Sequence, residues 1–167
     1  FATAYLWRAT VPLAVAVALG ALLVAVHSDG NAHPLPFVPL LNPTDLTVAL
    51  ALGACALWLG RVRASDLAVP SGAMDTRWTL VLAGLAFVAL NTVWLRVAHH
   101  FAGVPWQADR LFASFLVQTG YSILWTLLAM ALMLVAHRRK MMSPMRPLWM
   151  GGAALLGLTV AKLFLID

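Results

Sequence analysis

The 167 residues are 62% hydrophobic and only 10% charged, with a mean hydropathy of +0.88, whereas a soluble domain is roughly half apolar and a quarter charged. This composition excludes an ordinary soluble domain and makes the chain an integral membrane protein. Nine Arg and two Lys against six Asp and no Glu leave a net charge of +5. No basic run is interleaved with aromatics along a soluble face, so the charge sets topology and no nucleic-acid partner is expected.

The first apolar run, Val11 to Val26 with Tyr5, Leu6 and Trp7 as an interfacial lead, has about the ~20 residues needed to cross hydrocarbon. It predicts a span near residues 5–27, with Pro12 in its first turns. No cleavable leader is read in it. Residues 27–42 carry Asp29-Gly30-Asn31 and then Pro34, Pro36 and Pro39 among Leu, Phe and Val. Proline at that density excludes a continuous helix and predicts an extended apolar strap at the membrane surface. Asn42-Pro43-Thr44-Asp45 then supplies an N-cap, a proline at the first helical position and an acid at the third, which starts a second span near 43–61.

Lone Cys55 excludes an internal disulfide and is read as packing. A polar loop from Arg61 to Arg77 precedes a third span near 78–98, anchored by Trp78 and closed by Arg96, His99, His100 and Gly103. A fourth segment is predicted near 111–136, with Ser114, Gln118, Tyr121 or Ser122, and Trp125 at helical spacing on one inward face. The basic loop His137-Arg138-Arg139-Lys140 to Arg146 leads to a fifth span near 147–167. Ala153, Gly157 and Ala161 recur there every four residues as a small-residue packing face. The fold class expected is all-α: one polytopic transmembrane bundle of about five spanning helices with a Pro-rich surface strap. Beginning at Phe1 and ending at Asp167 after an apolar run, the chain is expected to be part of a longer one.

Loops rich in Lys and Arg stay cytoplasmic. The loops 61–77 and 137–146 are basic and the strap has neither residue, so the N-terminal side is expected inside. The strap, the Arg96–Arg110 connection and the Lys162 end then converge on the outer face. Polar groups in a membrane are costly and mark functional sites by default. Arg96, His99 and His100, spaced i, i+3 and i+4, share a helix face and suit either an interfacial snorkelling patch or an anion clamp, with Arg110 as its second jaw. The substrate-binding candidates are Arg96, His100, Trp106, Arg110, Gln118 and Lys162. Asp29, Asp109 and His99 are the candidates for proton transfer, although Asp29-Gly30 also reads as a plain turn. Lys162 is expected to pair with Asp109 or Asp29. The spacing of His and Asp matches no metal motif, and Gly151-Gly152 lacks a phosphate-loop pattern, so neither metal nor cofactor is expected.

Four segments carry a family resemblance: Pro34-Leu35-Pro36-Phe37-Val38-Pro39-Leu40-Leu41-Asn42-Pro43, Gly103-Val104-Pro105-Trp106, Gln118-Thr119-Gly120-Tyr121-Ser122-Ile123-Leu124-Trp125, and Lys162-Leu163-Phe164-Leu165-Ile166-Asp167. In these the chain resembles a family of large, many-spanning predicted bacterial membrane proteins whose defining domain has no assigned function. The resemblance implies an inner-membrane location, and helices or subunits beyond these residues as partners alongside the lipid bilayer. It implies no reaction. Three function classes follow: a protein acting at the outer face on an anionic or lipid-linked cell-envelope substrate, a transporter whose pathway is lined by Asn91, Gln118 and Lys162, and a structural or assembly subunit.

Overall fold

The computed structural model describes residues 2–64, 73–139 and 146–165. Among them every regular element is helical: α1 Ala2–His27, α2 Pro43–Ala64, α3 Ala73–Ala102, α4 Ala108–Ala113, α5 Phe115–Arg139 and α6 Arg146–Leu165. The segments Pro43–Arg61, Trp78–Ala102 and Phe115–Arg138 are long and apolar enough to cross a membrane, and Leu13–His27 and Trp149–Phe164 are shorter apolar helices. The chain divides into two compact units, residues 1–103 and 104–167. The central parts of the two basic loops lie outside the described residues.

In the first unit, buried positions recur at alternating steps of three and four. They are Ala18, Leu22 and Ala25 on α1, and Asp45, Val48, Cys55 and Leu59 on α2, with Leu52 half-buried between them. On α3 the same rhythm runs through Leu82, Leu85, Ala89, Thr92 and Arg96. A repeat of 3.5 residues is the seam of coiled, nearly parallel helix packing. The Cys55 thiol donates to the Ala14 carbonyl at 3.0 Å, while Val48 packs on Leu22 and Ala25 one end further along, so α1 and α2 run antiparallel. Leu59 against Trp78 and Leu82, and Val48 beside Leu85 and Ala89, set α3 antiparallel to α2. The opposite faces are apolar too, with Leu50, Leu57 and Leu80 largely exposed. A helix apolar all round suits lipid or neighbouring helices and not water.

Three local expectations change. Pro12 lies well inside α1, because the helix begins at Ala2; interior prolines are tolerated in membrane helices where neighbours satisfy the freed backbone groups. The fourth segment is not one helix. Ser114 is extended at φ −75 and ψ 121 and separates α4 from α5. Its carbonyl accepts the Gln118 N–H at 3.0 Å, as an N-cap residue does, and the Gln118 side chain donates to the Phe112 carbonyl across the break at 2.8 Å.

The third change is in α6, whose packing edge is Gly152, Leu155, Thr159 and Lys162, again at three-four-three spacing. Gly157 and Ala161 are exposed, and Gly157 has nothing within 4 Å of where a Cβ would stand. Gly152 is the close approach: a Cβ there would lie 2.8 Å from Met133 Cγ and 2.9 Å from the Ala129 carbonyl. That contact, with Lys162 beside Ser122 at the other end, makes α5 and α6 antiparallel. The α5 face carrying Gln118, Tyr121, Ser122 and Trp125 is buried or half-buried as expected, and Ser114, at the break before it, is half-buried.

Candidate functional site

The start of α2 is built as the sequence dictates. Asn42 Oδ1 accepts the Asp45 N–H at 2.9 Å, which satisfies one of the helix's orphan donors, and Asn42 Nδ2 donates to Asp45 Oδ2, which fixes the carboxylate. Asp45 Oδ2 also accepts the Leu40 N–H at 3.2 Å. Asp45 Oδ1 is left facing α3, and there it meets Arg96.

Arg96 is 1% exposed. Its Nη1 donates to Asp45 Oδ1, its Nη2 to the Ala25 carbonyl and its Nε to the Ser28 carbonyl at 3.1 Å. Two of those acceptors lie at the C-terminal end of α1, where helix carbonyls lack intrahelical partners. One planar guanidinium therefore ties together the end of α1, the start of α2 and the outgoing turn of α3, a task its fixed fork of donors suits. The anionic group facing Arg96 is this chain's own carboxylate.

The strap is fitted over that fork. Gly30 adopts φ +77, and a Cβ there would stand 2.7 Å from Arg96 Cδ, so the residue must be glycine for both conformational and steric reasons. Asp29 Oδ1 accepts the Asn31 N–H at 2.9 Å and Asn31 Oδ1 the His33 N–H at 3.1 Å, two successive Asx turns. Further on, Phe37 stacks on His100 with ring centroids 4.0 Å apart and 13° between planes. His100 Nε2 lies 2.9 Å from the Asp29 carbonyl, which needs the Nε2–H form to make a hydrogen bond. His99 Nε2 is 4.0 Å from Asp29 Oδ2, both groups partly exposed. Gly103, at φ +68, ends α3 just beyond, the left-handed glycine close common to helices.

Of the predicted site residues, Asp29, Arg96, His99 and His100 gather at this end of the first unit. Asn91 donates to the Phe87 carbonyl of its own helix at 2.7 Å. The second unit has a separate polar grouping. Lys162, 7% exposed, donates from Nζ to the Gln118 carbonyl and to Ser122 Oγ, both at 3.3 Å. Asp109 and Arg110 are exposed on α4 with 3.9 Å between Oδ2 and Nε, and Trp106 is half-buried just before it. No group of three or more His, Cys, Asp or Glu among the described residues is placed to hold a metal.

Asp45 is the residue that reading the sequence missed. It is legible as a helix-start acid, but its larger role is to face Arg96 across 51 positions of chain. The available signal was that Asp45 and Arg96 each sit on their helix's 3.5-residue seam, at ends that an antiparallel hairpin brings together.

A family model described as predicted membrane protein, DUF2339, matches residues 1–167. No curated protein and no solved structure matches the chain.

Proposed function

Taking as premise that the chain belongs to the DUF2339 family of predicted membrane proteins, we propose that it is a multi-pass inner-membrane protein with a polar site at its outward end for an anionic or lipid-linked cell-envelope substrate. The observation that carries this reading is the His99–Asp29 pair, partly exposed at 4.0 Å on a helix end that the buried Arg96–Asp45 contact holds in place. A carboxylate beside an imidazole orients the ring, so His99 is positioned to offer a ring N–H to a phosphate or carboxylate or to take part in proton transfer. Arg61, Arg63 and Arg77 stand at the ends of α2 and α3 remote from this site, which supports the outward assignment.

In this reading Arg96 and His100 shape the site from beneath, and His99 meets the substrate with Asp29 orienting its ring. The test compares binding of a long-chain alkyl phosphate and the matching alkyl alcohol to the full protein in lipid nanodiscs, by native mass spectrometry. The phosphate should bind at least tenfold more tightly, and His99→Gln should remove most of that advantage. Equal binding of phosphate and alcohol to the unaltered protein would sink the proposal.

A transport pathway is the second reading, supported by the Gln118, Ser122 and Lys162 grouping buried between α5 and α6. Intramembrane ionisable groups of this kind mark substrate and ion pathways.

A further inference from the structure

Beneath the Arg96–Asp45 pair, α1, α2 and α3 do not close completely. They leave a half-open chamber of about 180 Å³ lined by Leu22, Val48, Leu52, Ala86 and Ala89, with Arg96, Asp45 and Thr92 among the walls and Leu40 of the strap at its edge. The polar groups in its wall are already engaged. Asp45 takes hydrogen bonds from Arg96, Asn42 and the Leu40 N–H, Arg96 also binds the Ala25 and Ser28 carbonyls, and the Thr92 hydroxyl donates to the Val88 carbonyl at 2.8 Å. Water needs about two to four polar partners to occupy a cavity, and apolar chambers of about 150 Å³ stay dry and accept benzene-sized guests. The wall offers an occupant apolar contact and little else.

Leu40 holds an unusual backbone conformation at this edge. It is the only non-glycine residue with positive φ among those described, at 66°. A branched side chain in that region is strained, and such strain persists only where surrounding structure enforces it, often at ligand clamps. Here the Leu40 N–H is held by Asp45 Oδ2 at 3.2 Å, the carboxylate that also holds Arg96. The chamber's edge and the ion pair under the strap are thus fastened to one group.

We propose that this chamber is a hydrocarbon-chain pocket that receives the end of a single lipid chain, with Leu40 as its strained latch. This rests on the lipid-linked reading of the site above and names the part of the substrate that the His99–Asp29 pair does not touch. The volume admits one chain end and not two, so the occupant is a single hydrocarbon chain.

The experiment uses the full protein in nanodiscs with two photoreactive probes, an alkyl phosphate and an alkyl alcohol, each carrying a diazirine at the end of the chain. Both probes should label Leu22, Val48 and Leu52 in preference to the exposed Leu50 and Leu57. Ala89→Phe should cut chamber labelling at least fivefold. Leu40→Gly, which relieves the positive φ without adding bulk, should raise it and serves if the filled variant does not fold. Labelling spread evenly over Leu50, Leu57 and the chamber, or chamber labelling unchanged in both variants, overturns the pocket. Chamber labelling by both probes with no preference for phosphate keeps the pocket and removes the anionic headgroup site, so the two proposals fail separately.

Discussion

The two units each bury a cation, and they bury it differently. In the first, Arg96 meets a carboxylate and two helix-end carbonyls. In the second, the described hydrogen bonds of Lys162 go to a carbonyl and a hydroxyl. A guanidinium paired with a carboxylate makes each partner hostage to the other, because removing one leaves a buried charge uncompensated. The Gln118 carbonyl and the Ser122 hydroxyl are neutral and bond each other at 3.3 Å, so neither is left as a buried ion when the ammonium is removed. The first arrangement ties two opposite charges into the architecture, and in the second the described acceptors carry no charge.

The largest expected effect follows from that contrast. Asp45→Ala strands Arg96 and should cost about 3–5 kcal/mol of stability. Arg96→Met alone strands Asp45, whereas the double variant Asp45→Ala with Arg96→Met removes both charges and should recover most of the loss, with a coupling energy above about 2 kcal/mol. Unfolding of the purified protein in mixed micelles, followed by circular dichroism, measures all three. A single-variant loss below about 1 kcal/mol would dissolve the distinction between the units.

Next in size is a test within the second unit. Gly152→Ala drives a methyl towards the Ala129 carbonyl and Met133 and should cost about 1–3 kcal/mol, as overpacking does. Gly157→Ala meets open space and should leave stability unchanged or raise it by up to about 1 kcal/mol through helix propensity. The same unfolding assay reads both. A reversal of their order would restore the Ala153, Gly157 and Ala161 edge as the packing face.

The smallest effect expected is that of Lys162→Met, within about 1 kcal/mol of the original protein, since an apolar residue of similar length keeps the contact with α5 and the Ser122 hydroxyl still donates to the Gln118 carbonyl. A loss as large as that of Asp45→Ala, in the same assay, would mean that Lys162 is anchored as firmly as Arg96 and would erase the comparison from the other side.

How much of this was legible depends on the range over which each signal acts. The Asn42 cap, the prolines of the strap and the Gly103 helix end are local chemistry, and each stands where the residues placed it. The break at Ser114 was not legible, because its flanks continue an apolar periodic pattern and the hydrogen bond that supports it comes from the Gln118 side chain. The α6 edge was misread because small residues occur on both faces of a membrane helix, so Ala161 and Gly152 look alike until a neighbour is in place. For the candidate site, the clustering of His99, His100 and Asp29 was anticipated from topology. The partner of Arg96 was not, because two helices' register decides it and no residue near Arg96 in sequence announces it.

The Asp45–Arg96 contact also bears on how the protein enters the bilayer. Between Trp78 and Ala102, Arg96 is the one Lys or Arg of its apolar helix, and Asp45 the one acid of α2. Carrying an arginine or aspartate alone into a bilayer costs about 2.5–3.5 kcal/mol at a helix centre, less towards an end. Presented together as a hairpin, α2 and α3 offer the translocation machinery apolar stretches, residues 43–60 and 78–102, whose two charges, Asp45 and Arg96, cancel internally. The hairpin should therefore integrate more efficiently than α3 alone, and in a glycosylation-mapping insertion assay Asp45→Ala should lower the integrated fraction of the hairpin while leaving isolated α3 unaffected.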